Sequence, residues 1–219
     1  MPELLAIFDV DGTLADSQGV IHATMSSAFK RAGLEPPDRS AVLSRVGLSL
    51  NRMVSELVGH DGGTHEEIVV GYRLAYLEAM EAGEEAPLFP GVQDGLRQLH
   101  QAGVTLGLAT GKSKRGIDRM IETYGWSDLF ATVQCADFHP SKPDPSMVRR
   151  ALLETATDPT DAVVIGDTSF DIEMARRAEV PAIAVDWGYH PVERLADAGA
   201  KVILSSFDSL VDRIQRMAR

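Results

Sequence analysis

The chain is 219 residues long, 44% hydrophobic and 24% charged, with one cysteine and a net charge of −11. That length, at roughly 150 residues per domain, fits one large domain or one domain with an insertion, and the composition excludes disordered and fibrous classes. No apolar run approaches the roughly 18 residues of a membrane span, and so acidic a body repels nucleic-acid backbones and anionic bilayers.

The single Cys135 can form no intrachain disulfide and suits a reducing compartment. Met1-Pro2-Glu3 lacks the basic start of a signal peptide. A cytoplasmic protein is therefore expected, binding neither nucleic acid nor membrane, with monomer and homodimer both open. An anionic substrate would need a local cationic site or a bound metal ion.

Leu4 to Asp9 is a short apolar run ending at a carboxylate, the pattern of a strand buried on both faces of a parallel sheet. From Asp16 to about Pro87 the pattern changes to helical periodicity alone. Ile21, Met25, Ala28, Phe29 and Ala32 share one helix face; Leu50, Met53, Val54, Leu57 and Val58 make a second stripe. Ile68, Val69, Tyr72, Tyr76, Leu77 and Met80 make a third, with breaks at Gly33, Pro36-Pro37 and Gly62-Gly63. After Leu88-Phe89-Pro90-Gly91, apolar runs return at Val104–Ala109, Ala131–Cys135, Ala162–Ile165, Ala182–Val185 and Val202–Leu204. Amphipathic stretches at Gly91–Ala102, Ile117–Tyr124 and Met147–Thr155 separate several of them. Such alternation predicts an α/β fold with a doubly wound, mainly parallel Rossmann-like sheet. Residues 1–15 and 88–219 form its core, and residues 16–87 form an inserted all-helical domain.

Open α/β sheets bind ligands beyond the carboxyl ends of their strands. The first predicted strand is followed by Asp9-Val10-Asp11-Gly12-Thr13, and alternate residues of an extended segment project to the same side. The second is followed by Thr110-Gly111-Lys112-Ser113 at a helix start, where free N–H groups suit an anion. The third leads to Ser141-Lys142-Pro143, and the fourth to Gly166-Asp167-Thr168-Ser169-Phe170-Asp171. Mg²⁺ prefers oxygen ligands, commonly one or two carboxylates with water and substrate phosphate, which makes Asp9, Asp11 and Asp167 the candidate ligands. A carboxylate can also attack phosphorus, while Thr110 and Lys142 hold and neutralise the phosphoryl oxygens.

With these motifs the chain resembles the haloacid dehalogenase-like hydrolases of the class with a helical cap. Asp9-Val10-Asp11-Gly12-Thr13 matches the first motif, Thr110 the second, Lys142 the third, and Gly166-Asp167-Thr168 through Asp171 the fourth. The resemblance implies Asp9 as nucleophile and Asp11 as general acid/base. It implies Mg²⁺ held by the Asp9 side chain, the Asp11 backbone carbonyl and Asp167, with Asp171 in support. It also implies a phosphatase acting on a small phosphorylated metabolite, since dehalogenases of the family lack the second aspartate of the first motif. Gly12, Thr13 and Gly111 are the expected substrate-binding positions in these loops.

Asp186-Trp187-Gly188-Tyr189-His190-Pro191 resembles the Trp-Gly loop of the phosphoglycolate phosphatase-like branch, which makes phosphoglycolate the leading substrate. Arg45 and Arg52 flank Gly47-Leu48-Ser49-Leu50, which resembles the substrate-facing cap loop, and Arg52 is the expected partner of a second anionic group. Lys112 reads equally as a substrate contact or a surface lysine. Gly111-Lys112-Ser113 is no P-loop, because position 106 is Leu. The histidines at 22, 60, 65, 100, 139 and 190 show no zinc spacing. Two rival readings remain: a β-phosphoglucomutase-like mutase, whose cap histidine would fall at Ile21 beside His22, and a non-catalytic binding module on the same fold.

Overall fold

The computed structural model describes residues 4–59 and 62–218; the Met1-Pro2-Glu3 start and His60 lie outside the described residues. Six strands build one sheet: β1 (Leu5–Phe8), β2 (Thr105–Thr110), β3 (Thr132–Cys135), β4 (Ala162–Gly166), β5 (Ala182–Val185) and β6 (Ile203–Leu204). Their order is β3-β2-β1-β4-β5-β6 and every pairing is parallel. Each expected apolar run holds a strand, with ends shifted by no more than one residue.

Strand β1 shows why these runs are apolar throughout. Ala6 and Phe8 point into a cluster with Val92, Leu96 and Leu99 of α5 (Val92–Gln101), Ile117 of α6 (Lys114–Tyr124) and Phe207, Leu210 and Ile214 of α10 (Phe207–Met217). Leu5 and Ile7 point the other way, onto Met147, Val148 and Ala151 of α7 (Ser146–Thr155) and Met174 and Ala175 of α8 (Ser169–Arg177). Alternating residues thus serve two cores, and the sheet is covered on both faces. Cys135 is buried in the first of these clusters. A short α9 (Val192–Asp197) packs Leu195 beside β5.

The helical insertion leaves the core after β1. It contains α1 (Gln18–Arg31), α2 (Arg39–Leu43), α3 (Leu50–Val58) and α4 (Gly63–Glu81), around a separate core of Ile21, Met25, Phe29, Val54 and Ile68. The three expected stripes became α1, α3 and α4. Helix α2 was not foreseen, because five residues with only Val42 buried are too short to show a period. The two connections to the core are tied together: Asp16 N–H donates to Pro87 O at 2.8 Å and Phe89 N–H to Leu14 O at 3.0 Å. Among the described residues no helix is long and apolar enough to cross a membrane.

Candidate active site

The chain winds outward from β1 through β2 to β3, then returns to β4 on the other side, so the topological switch lies between β1 and β4. Phe8 pairs with Ile165, and the Asp9 N–H continues the ladder to Ile165 O at 2.8 Å. Asp9 and Asp167 therefore leave adjacent strands at nearly the same level. With Asp171 they bring carboxylate oxygens within 4.8 Å of one another, all three residues being buried.

Lys142 reaches into this acidic group from the loop after β3. Its fully buried ammonium lies 2.7 Å from Asp9 Oδ1 and 2.7 Å from Asp171 Oδ1. Burial alone would lower its pKa, but Asp171 and Asp9 outweigh that and hold the group above the ordinary lysine value. Asp171 is already occupied on both oxygens. Oδ2 accepts the Thr168 hydroxyl at 2.6 Å and the Thr168 N–H at 3.1 Å in the capping box that starts α8.

Asp167 accepts the Thr13 hydroxyl at 2.8 Å and the Tyr189 N–H at 2.9 Å. Two glycines leave room for it: a Cβ on Gly12 would stand 2.2 Å from Oδ2, and one on Gly188 would stand 2.2 Å from the Asp167 Cβ. Gly12 also turns with φ +87°, a conformation costly for other residues. Asp9 is the exception to this satisfaction. Among the described residues its buried Oδ2 has no hydrogen-bond partner, and the one ion-pair contact of Oδ1 is Lys142. Burial pushes the Asp9 carboxyl up to about 7 against the pull of Lys142, with Asp171 and Asp11 adding repulsion. Burial also raises Asp167 well above the usual carboxylate range, helped by the charges of Asp9 and Asp171. Two carboxylates this uncomfortable as anions suit a cation between them.

Asp11 turns to a different set of partners. Its Oδ1 accepts a short hydrogen bond from the Ser17 hydroxyl and lies 2.7 Å from Lys112 Nζ. Tyr189 OH bonds the same Ser17, accepting its N–H at 3.0 Å and meeting its hydroxyl at 3.1 Å. Among the described residues the side-chain cluster is thus Asp9, Asp167 and Asp171, and the Asp11 carboxylate is not part of it. Thr110 is fully buried at the end of β2, where its hydroxyl oxygen accepts the Lys112 N–H at 3.1 Å and its own proton remains free to donate.

The helical insertion lies directly on these loops. A Cβ on Gly111 would stand 2.6 Å from the Leu48 carbonyl oxygen, so the Gly47–Ser49 segment rests on the backbone after β2. Ser49 N–H donates to Ser141 Oγ at 2.9 Å, next to Lys142. His190 makes a further bridge, accepting the Ser169 N–H at 2.9 Å on Nδ1, which leaves Nε2 to donate to Ser44 O at 3.0 Å. Burial, with Arg194 nearby, lowers the His190 pKa to about 4. The unfolded chain, with a histidine near 6.5, binds more protons between those values. The stabilising contribution of neutral His190 is complete above about pH 6.5 and is lost as pH falls toward 4. Urea midpoints at pH 7 and pH 5 should therefore fall further for the native protein than for His190→Gln.

The structure brings Asp9, Asp11, Gly12, Thr13, Thr110, Gly111, Lys142, Asp167 and Asp171 together. It does not bring Arg52, which is exposed on α3 and paired with Glu56 at 3.0 Å. Arg45 shares Glu56 at 3.6 Å and donates to Ala41 O at 2.7 Å. Ile21 is buried in the core of the insertion, and His22 lines an outer groove of α1 with Ser26 and Lys30. Sequence reasoning missed Ser17, Gly188 and Tyr189 as members of the site. Gly188 and Tyr189 could have been found in the Trp-Gly loop, whose Trp187 indole N–H donates to Thr13 O at 3.1 Å.

The haloacid dehalogenase-like hydrolase family model matches residues 6–185, and the chain belongs to that family. It is an enzyme of the phosphoric monoester hydrolase class. The chain is 32% identical to "Probable phosphatase IndB" of Dickeya dadantii over 213 residues, covering 94% of this chain and 91% of that protein. It is 31% identical to a phosphoglycolate phosphatase of Agrobacterium fabrum over 216 residues, covering 94% and 90%. A crystal structure of a "predicted phosphatase" from Clostridium acetobutylicum superposes with a TM-score of 0.88 at 26% identity, covering 99% of this chain and all of that one.

Proposed function

We propose that this protein is a Mg²⁺-dependent phosphatase that hydrolyses a small phosphomonoester through an aspartyl-phosphate on Asp9. Residues 1–15 and 88–219 serve as the catalytic core and residues 16–87 as the cap. Phosphoglycolate is the leading substrate, in keeping with the resemblance of the Trp-Gly loop and the names of several relatives. The observation that carries the reading is Asp9 itself, a buried carboxylate with an unpartnered oxygen between Lys142 and Asp167.

In the first step one oxygen of Asp9 attacks phosphorus and the bond to the leaving-group oxygen breaks. Asp11 gives that oxygen its proton, which an alkoxide leaving group requires. The Thr110 hydroxyl and the Lys142 ammonium hold the phosphoryl oxygens as charge shifts among them. In the second step water attacks phosphorus, Asp11 takes its proton, and the bond from Asp9 to phosphorus breaks to release inorganic phosphate. Mg²⁺, held by Asp9, Asp167 and the Asp11 carbonyl, would neutralise phosphoryl charge there. Asp171 fits a supporting role, since its two oxygens already hold Lys142 and the start of α8. The insertion excludes bulk water by resting on Gly111 and Ser141.

The test is phosphate release from phosphoglycolate, pyrophosphate, sugar phosphates and nucleotides, with Mg²⁺ and with EDTA, beside thermal unfolding under the same conditions. Release only with Mg²⁺, and an unfolding temperature raised by Mg²⁺ without substrate, support the reading. Undiminished release in EDTA would remove the metal from it. Isomerised sugar phosphate in place of inorganic phosphate would turn it to the mutase.

A further inference from the structure

Lys112 has no part in the mechanism above, yet it is one of the most enclosed cations of the molecule. Its side chain is 12% exposed, its Nζ lies 2.7 Å from Asp11 Oδ1, and the ring of Tyr76, on α4 of the insertion, covers it at 5.8 Å. Gly111, one residue earlier, is the residue on which the Leu48 carbonyl rests. The crevice beside it, between Tyr76, Met80 and Arg119, has a volume of about 30 Å³. That is room for a water or two and far below the several hundred Å³ of a ligand pocket. The Lys112 ammonium is thus aimed at Asp11 and covered by the insertion, and the crevice beside it is too small for a ligand.

We infer that Lys112 is a positioning residue for Asp11: with Ser17 it pins Oδ1, so that the other oxygen faces the leaving group, and Tyr76 from the cap completes the arrangement on closure. Both contacts of the Asp11 carboxylate are to Oδ1, which restricts rotation about the side chain and assigns proton transfer to Oδ2. An ion pair of this length weakens sharply when water reaches it. Withdrawing Tyr76 and the Gly47–Ser49 segment would loosen it, so proton transfer is set up only while the insertion is seated.

This rests on the phosphatase reading with Asp11 as acid/base, and the experiment separates the two. Lys112→Met, Lys112→Arg, Asp11→Asn and the double variant Asp11→Asn/Lys112→Met are compared by kcat/KM on p-nitrophenyl phosphate, glycerol phosphate and phosphoglycolate. The aryl ester needs little leaving-group protonation; the two alkyl esters need it, and only the last carries a carboxylate. Lys112→Met is expected to lose about 30-fold on both alkyl esters and under about 3-fold on the aryl ester, part of the range that positioned acid catalysis supplies. In the Asp11→Asn background it should cost almost nothing further, and Lys112→Arg should recover part of the loss. An equal loss on all three substrates, additive with Asp11→Asn, would make Lys112 merely structural and overturn the inference. A KM increase confined to phosphoglycolate would overturn it in favour of a contact with the substrate carboxylate. Full activity of Asp11→Asn would remove the acid–base reading, and this inference with it.

Discussion

Asp9→Asn is expected to abolish turnover while leaving the protein folded. The amide of Asn is no nucleophile toward phosphorus, and loss of a covalent nucleophile commonly costs on the order of 10⁵-fold in rate. Stability should move little, within about 1 kcal/mol, the scale of a substitution that creates no cavity. The physical reason is that Asp9 is held as an unfavourable anion, buried beside Asp167 and Asp171 with one oxygen unpartnered. A neutral isostere relieves that repulsion as it gives up the Lys142 contact. Single-turnover release of the alcohol and of phosphate, with thermal unfolding of the same samples, checks both halves. Appreciable turnover by a correctly folded Asp9→Asn would move the nucleophile elsewhere.

Lys142→Met should have the opposite balance, a large loss of stability together with a loss of activity. Among the described residues Lys142 is the one ammonium at the three buried carboxylates, 2.7 Å from two of them. Met matches the length of its stem but leaves Asp9 and Asp171 uncompensated. Removing one partner of a buried ion pair typically costs about 3–5 kcal/mol, more than the pair itself contributes. The deficit should be greatest at pH 7 without metal. It should shrink at pH 5, because the Asp9 carboxyl, already raised by burial beside Lys142, is raised further once that cation is removed and takes up a proton in the folded variant. Mg²⁺ should recover part of it at pH 7. Urea midpoints for the two proteins, at both pH values and with and without Mg²⁺, give the comparison. A deficit below about 1 kcal/mol, the value of an exposed pair, would show that the cluster is not held together by this cation.

What the sequence revealed, and what it did not, follows from the range of the interactions. The strands were legible because parallel strands covered on both faces must be apolar at every position, and Leu5 to Phe8 is so. The motif residues were legible because open α/β sheets bind ligands at the carboxyl ends of their strands. The strand order here sets β1 between β2 and β4, which brings the ends carrying Asp9, Thr110 and Asp167 side by side. The surroundings of Asp11 were not. Ser17, Lys112 and Tyr189 meet there through loops, and Tyr189 lies 172 residues from Ser17 along the chain. No local pattern encodes such a contact.

The expectation for Arg52 missed a local signal that was available. Glu56 stands one helical turn further on the same face, and the pair closes at 3.0 Å, which occupies the arginine. Helix α10 is likewise readable from Phe207, Leu210, Val211 and Ile214 at helical spacing, although it lies beyond the last motif. Lys112 was balanced between surface and substrate because its loop position fits either. Its burial under Tyr76 depends on the placement of α4 over the core, which no spacing within residues 110–113 discloses.

The central claim is a covalent phosphoryl group on Asp9, and its most direct test is to trap it. The enzyme is quenched during turnover of phosphoglycolate with Mg²⁺, reduced with borohydride, which converts an acyl phosphate to the alcohol, and mapped by mass spectrometry. The peptide containing Asp9 should carry homoserine at that position, absent when substrate or Mg²⁺ is withheld. Reduction at another carboxylate, or at none while phosphate is being released, would contradict the account.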